Sequence, residues 1–188
     1  MQSKFLENEI KYTGSELAPH WIYKNFNLQS DAIVGFCGEC DVKITEMVDI
    51  EDVLDNTPIY SKKMLHFIIE HFNMALPEGV VRQRLFINII REKILENLPK
   101  GSEIFRYGDD LFFKEKKLSV SIAAKSINSV LIHTGLNIIS EGAAIEASGL
   151  SSDMDLQNIH GLGKDIIEAY SKECGDIILA TTKVKGVL

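Results

Sequence analysis

The chain has 188 residues, with 27 acidic against 20 basic side chains and a net charge of −7. That balance disfavours broad nucleic-acid binding, which depends on Lys and Arg displacing counterions from phosphates. Hydrophobic content is 45%, yet no apolar run reaches the roughly 18 residues of a membrane span. Residues 1–9 lack the apolar stretch of a signal peptide, so a cytoplasmic location without membrane contact is expected. The odd cysteine count (Cys37, Cys40, Cys174) fits free thiols in a reducing compartment better than a disulfide framework.

No repeat, low-complexity tract or Pro/Ser-rich linker interrupts the chain, so residues 1–188 are expected as a single domain. Ala18 to Phe26 reads as a short helix contacting the core through Trp21, Ile22 and Phe26. Asp31 to Cys37 reads as a buried strand, with Gly35 and Gly38 marking a bend or a close backbone approach. Asp49 to Leu54 reads as a helical turn. Ser61 is a candidate N-cap for a helix to Phe72, with Met64, Leu65, Ile68 and Phe72 on one face. Pro77 and Glu78 open a longer helix. Its apolar stripe joins Val81, Leu85 and Ile89 to Phe86, Ile90 and Ile94, until Pro99 and Gly101 stop it.

Strands are expected at Ile104 to Tyr107, Leu111 to Phe113, Lys117 to Ala123 and Ser129 to Asn137. Lys114-Glu115-Lys116 forms a polar hairpin turn between two of them, which makes neighbouring strands antiparallel. Gly163 to Tyr170 reads as a helix and Asp176 to Val184 as a last strand. The sum is an α+β fold, a mostly antiparallel central sheet flanked by helices.

The segment from Tyr107 to Ile138 is the most informative. Alternation along the strand after the turn places Leu118, Val120 and Ile122 on one face, and Lys117, Ser119, Ser121 and Ala123 on the other. A lysine on a face of small residues has room before it for a carboxylate or phosphate-bearing ligand. The competing reading has Lys117 ending a turn and facing water.

The same segment resembles the central strands of the biotin and lipoate protein ligases, a family that includes octanoyl transferases and is related to class II aminoacyl-tRNA synthetases. The matching elements are Asp109-Asp110-Leu111, Lys117-Leu118-Ser119-Val120 and Gly135-Leu136-Asn137-Ile138. The resemblance implies that Lys117 contacts the acyl carboxyl or the acyl-adenylate, stabilising charge on the oxygen under attack. It implies that the Asp109-Asp110 region organises the nucleotide or metal side of the pocket, with ATP and Mg as cofactors and a homodimer as the assembly. Asp109 stands where the family has asparagine, and Val120 where it has glycine. The Gly-Arg-Gly loop with which ligases wrap the adenylate is absent from the sequence.

The whole chain is also similar to the family labelled domain of unknown function 366. The stretches from Tyr12 to Trp21, Met47 to Asp52 and Met64 to Phe72 carry that likeness.

Other candidates each have two readings. Cys37-Gly-Glu-Cys40 is half of a zinc site completed by Cys174 and a histidine, a redox pair, or two ordinary thiols. A cysteine near Lys117 would also serve a thioester mechanism. His66 and Glu70 share a helix face in the expected helix, while His71 points elsewhere. That spacing is not a His-Glu-x-x-His zinc motif, and no metal site is expected. His20 and Trp21 line a pocket or form a structural pair. His133 shares a face with Leu131 and approaches Lys117 if the register allows. Asp153 and Asp155 bind a cation or cap a loop. Arg82 and Arg84 bind an anion or face water.

Three functions are therefore set against each other. The first is an acyl-transferring or acyl-activating enzyme for a small carboxylic acid or its activated ester, with Lys117 as the reacting cation. Asp109, Asp110, Ser119, Ser121, His133, Asn137, His20 and Trp21 would shape its pocket, a small carboxylate or acyl-adenylate would bind, and a carrier protein could receive the acyl group. The second is a non-catalytic metabolite-binding or regulatory protein of the same fold. The third is an RNA-linked role, which the acidic balance opposes.

Overall fold

The computed structural model describes residues 1–56, 58–141 and 146–187. In chain order the elements are β1 (Gln2–Phe5), α1 (Trp21–Phe26), β2 (Ala32–Val42), a 3-10 turn (Ile44–Glu46), α2 (Ile50–Leu54), β3 (Ile59–Phe72) and α3 (Leu76–Glu96). There follow β4 (Phe105–Tyr107), β5 (Asp110–Phe113), β6 (Lys116–Lys117), β7 (Ser119–Lys125), β8 (Ser129–Asn137) and α4 (Ile159–Thr182).

Five strands form one sheet in the order β1-β2-β3-β8-β7, antiparallel except for the β1–β2 pair. β4, β5 and β6 form a small second sheet. Lys114 and Glu115 both adopt positive φ, 49° and 67°. Two such residues twist a tight turn in the sense that antiparallel strands require, so the expected hairpin forms between β5 and β6.

The two faces of the large sheet are buried differently. On one, α3 and α4 cover Ile33, Leu65, Phe67, Ile69, Ile132 and Leu136. The other carries Val34, Phe36, Met64 and Ile68, with Tyr12 and Ile22 of α1 packed over them. Apolar burial on both faces is the main source of stability, at about 25 cal/mol per Å² of apolar area.

Two expected elements differ. Ser61 to Phe72 is part of the central strand β3 and not a helix. β3 pairs with β2 on one side and β8 on the other. A strand covered on both faces is apolar nearly throughout, and the spacing of Met64, Ile68 and Phe72 satisfies period 2 as well as period 3.6. Asp176 to Val184 is not a strand, because α4 continues to Thr182. Once its first turns are anchored, each added residue extends a helix at little cost, whereas a strand needs a free partner. The Thr181 and Thr182 hydroxyls donate to the carbonyls of Ile178 and Leu179. Along α3, Gln83, Phe86, Ile87, Ile90 and Ile94 are buried, while Val81 faces out.

Candidate functional site

A cavity of about 410 Å³ opens on the side of the sheet away from α3 and α4. Met64 of β3, Val120 and Ile122 of β7, and His133 and Asn137 of β8 line it from the sheet. Tyr12, the α2 region and the β5–β6 hairpin close its sides.

A bulge in β3 shapes this floor. Gly38 pairs with Met64 but Cys40 pairs with Ser61, so β3 contributes one extra residue between the two pairs. An extra residue reverses the facing of everything beyond it. Ser61 and Ile59 thereby turn to the same side as Met64. Ser61 is buried, and its hydroxyl has no partner among the described residues.

Lys117 lines the cavity at the end of β6, paired across the hairpin with Phe112. Its backbone is fixed, since the carbonyl accepts from Ser148 N at 2.9 Å. Its ammonium lies 3.0 Å from Asp110 Oδ2. Strand alternation breaks just after it. Leu118 joins the core beside Leu111, and Ser119 Oγ accepts from Leu111 N at 2.8 Å. Ser121 Oγ accepts from Gln83 Nε2 at 3.0 Å and donates to the His133 carbonyl at 3.2 Å. Both serines border the cavity with their hydroxyls already committed to structural bonds. Val120 and Ile122, opposite Gly135 and His133, take the cavity-facing positions instead. The alternation expected from sequence is therefore reversed beyond residue 118, because the chain passes there from the small sheet to the large one.

The lining is strongly acidic. Glu46, Asp49, Glu51, Asp52, Asp109 and Asp110 border the cavity, and Lys117 is the one cation among the described lining residues. Asp109 accepts from Gln83 Nε2 at 2.8 Å and lies 3.9 Å from the Arg84 guanidinium. Burial raises the Asp110 carboxyl above its ordinary pKa; Lys117 pulls the other way, and Asp109 and Asp52 add to the rise. Asp52 is raised too, by burial and then by Asp49, with Lys117 opposing.

A buried aromatic cluster forms part of the cavity lining. His66 Nδ1 is 3.1 Å from His133 Nε2, and Tyr12 stacks on the His133 ring at 3.8 Å. Burial pushes the His66 imidazole down to about 3. It pushes His133 well below its usual value, with His66 adding to the effect. Both rings are neutral near pH 7.

Of the remaining expected site residues, Asn137 borders the cavity, and no hydrogen bond engages its side chain among the described residues. Trp21 and His20 lie elsewhere: Trp21 packs against Phe26 and Phe36. His20 stacks on Phe72, and its backbone N–H donates to the Glu70 carboxylate at 3.0 and 3.1 Å. His66 and Glu70 do share a face, as strand residues. Cys37 and Cys40 face opposite sides of the sheet, Cys37 toward the helices and Cys40 toward the cavity, so they neither pair nor ligate together. Burial raises their thiols to about 11 and about 12. Asp153 caps the N–H of Gly149 at 2.8 Å. Among the described residues no group of three or more His, Cys, Asp or Glu side chains is arranged to hold a metal. Sequence reasoning missed Tyr12, Ser61 and the acids of residues 46–52. Only the acids left a signal, as a local charge cluster.

A metal-free nucleoside triphosphate does not fit the donor set of the described lining residues. Its phosphates need several cations or a preorganised row of N–H donors. Among the described residues the cavity instead offers one lysine, already paired, beside six carboxylates.

The family described as domain of unknown function (DUF366) matches residues 1–185. An uncharacterised protein of Methanocaldococcus jannaschii is 37% identical over 179 residues, 92% of this chain and 79% of that protein. A solved structure of a protein of unknown function from Pyrococcus horikoshii is 32% identical, covers 100% of both chains and superposes with a TM-score of 0.91. A putative lipoate protein ligase from T. acidophilum with bound lipoic acid is 13% identical, with a TM-score of 0.58 over 92% of this chain and 86% of that one. The biotin protein ligase from Aquifex aeolicus, in complex with biotin and ATP, is 12% identical, with a TM-score of 0.58 over 91% and 69%. At such identities the likeness to the ligases establishes the fold alone.

Proposed function

We propose, because this chain belongs to the DUF366 family and has a biotin/lipoate ligase-like α+β fold, that its cavity binds a small carboxylic acid or its activated ester at Lys117. The observation that carries this reading is the Lys117 ammonium. It borders a cavity of about 410 Å³ and is held 3.0 Å from Asp110. A lysine ammonium has three N–H donors. One meets Asp110, leaving donors for a ligand carboxyl or the carbonyl of an ester. Met64, Val120 and Ile122 offer the apolar surface on which the rest of the ligand lies. Were an acyl group transferred here, the ammonium would stabilise charge developing on the carbonyl oxygen. An already activated ester suits the described lining better than a metal-free triphosphate does. In this reading the protein works in the cytoplasm as a homodimer of single-domain chains.

Titration calorimetry against small carboxylic acids and their thioesters, with and without polar substituents, tests the reading. At least one compound is expected to bind. Lys117→Ala is expected to weaken it by tenfold or more, as loss of a charged hydrogen bond of about 1.5–3 kcal/mol does. An unchanged affinity in that variant, or no binding at all, removes the proposal.

A second reading, binding without turnover, is favoured by the chemistry of the candidate nucleophiles. Burial raises the Cys40 thiol to about 12, and the Lys117 ammonium is paired with Asp110. Thiol release from a bound acyl thioester, followed with a colorimetric reagent, separates the two readings. Release that Lys117→Ala abolishes supports the enzyme; binding without release supports the receptor.

A further inference from the structure

The charge around the cavity is not what a plain carboxylic acid would select. Among the described residues, an anion entering this cavity meets six carboxylates for one ammonium, and that ammonium already has Asp110 beside it. Asp109 is engaged by Gln83 and Arg84, and Asp49 accepts from the Glu51 N–H. Glu46, Glu51 and Asp52 have no cationic partner within salt-bridge distance among the described residues. The cavity therefore has negative charge to spare on the α2 side and a single positive group on the hairpin side.

A second, independent feature points to a polar ligand. Ser61 is 2% exposed and its hydroxyl has no hydrogen-bond partner among the described residues, although the bulge in β3 turns it to the cavity side. The Asn137 side chain borders the same space, with no hydrogen bond among the described residues. Buried polar groups ordinarily find partners, so such atoms beside a cavity mark where a ligand's polar atoms belong.

We propose that the ligand carries a protonated amino group next to its carboxyl or ester carbonyl, which makes it an amino acid or an aminoacyl ester rather than a simple fatty, lipoyl or biotinyl acid. This rests on the reading of Lys117 as the carboxyl-binding group. The carboxyl or carbonyl faces Lys117, the ammonium faces Asp52 and Asp110, and the side chain lies on Met64, Val120 and Ile122. An aminoacyl ester, with net charge +1, matches the surplus better than the free amino acid. A bare metal ion is the poorer occupant, because among the described residues no three ligating groups converge and Lys117 stands in the same space.

The test uses the full chain and matched triplets on the leucine, methionine and phenylalanine skeletons: the amino acid, its methyl ester, and the acid lacking the amino group. Calorimetry is expected to show one amino acid or ester binding at least tenfold tighter than its desamino acid. Asp52→Asn is expected to weaken the amino compound several-fold without weakening the desamino acid, in a protein whose melting temperature is retained. Ser61→Ala provides a second variant at the floor, expected to weaken the same compounds. If a desamino acid binds as tightly as its amino partner and loses binding in Lys117→Ala, the inference fails while the carboxyl-binding reading stands. If Asp52→Asn leaves the amino compound unaffected, the inference fails as well. If no member of any triplet binds, both fail together.

Discussion

His71 joins three distant parts of the chain through its two ring nitrogens. Nδ1 lies 2.8 Å from Asp31 Oδ2, just before β2, and Nε2 lies 2.8 Å from the Tyr170 hydroxyl on α4. The second Asp31 oxygen accepts from Phe72 N at 2.9 Å. Burial alone would raise the Asp31 carboxyl, but the bonds from His71 and Phe72 outweigh it and leave the pKa below the ordinary value. A depressed carboxyl favours the folded state above the unfolded pKa and loses that contribution as pH falls through the folded value. Asp31→Ala is expected to cost about 1 kcal/mol at pH 7, discounted because the carboxylate is 37% exposed. The loss should shrink as pH falls below about 4. Urea denaturation at pH 7 and pH 3 checks this, and an equal loss at both would refute it. At this scale the sequence reveals some residues and hides others. Lys117 was visible because a polar turn precedes a strand of alternating pattern. The facing of Ser119 and Ser121 was not, because the change of sheet at Leu118 depends on contacts with Leu111 and α3 far along the chain.

Among the elements, β3 shows why a central strand is hard to read. Its apolar run lacks alternation because helices cover one face and α1 with the Tyr12 segment covers the other. The glycines of the neighbouring β2 were more legible. An added Cβ at Gly38 would lie 1.8 Å from the Ile10 carbonyl oxygen, which is the close backbone approach expected of a strand glycine. There the chain runs beside β2, donating from Ile10 N to the Cys37 carbonyl and from Tyr12 N to the Glu39 carbonyl. Gly38→Ala would force this segment away. The expected loss is about 3 kcal/mol, from overpacking and broken hydrogen bonds together. Because Tyr12 covers His133 and lines the cavity, ligand affinity should fall too. Gly175 in α4 is the control, since a Cβ there meets nothing within 4 Å. Gly175→Ala should stabilise by about 0.5–1 kcal/mol through helix propensity. Melting curves of the two variants should move in opposite directions, and a shared direction would contradict the placement of one glycine.

For the molecule as a whole, the fold class was legible, and the cavity only on its hairpin, β7 and β8 side. Turn chemistry and alternation in residues 104–137 identify an antiparallel sheet, because those signals are local. The cavity joins Tyr12 and Leu17 to the α2 region and the start of β3, and these to the hairpin, β7 and β8; no local pattern reports the meeting of the first parts with the rest. Its charge has a global consequence when set beside the two buried histidines. His66 is held down to about 3 and His133 is also strongly depressed, so the folded protein refuses protons that the unfolded chain accepts near pH 6.5. Stability should therefore be level above about pH 6.5 and fall below it, by about 1.4 kcal/mol per pH unit for each histidine. Asp52 and Asp110 act in the opposite sense, since raised carboxyls gain stability on protonation, but they do so closer to the ordinary carboxyl range. The window between pH 6.5 and 5 thus belongs mainly to the histidines, and a loss of about 2–4 kcal/mol is expected across it. Urea titrations at pH 7.5 and 5, with calorimetry in buffers of different ionisation enthalpy, should show one to two protons taken up on unfolding at pH 5. Equal stability at both values, with no linked uptake, would mean that the histidine pair is protonated and solvated in the folded protein. The stacked Tyr12 cover over the cavity floor would then be wrong as well.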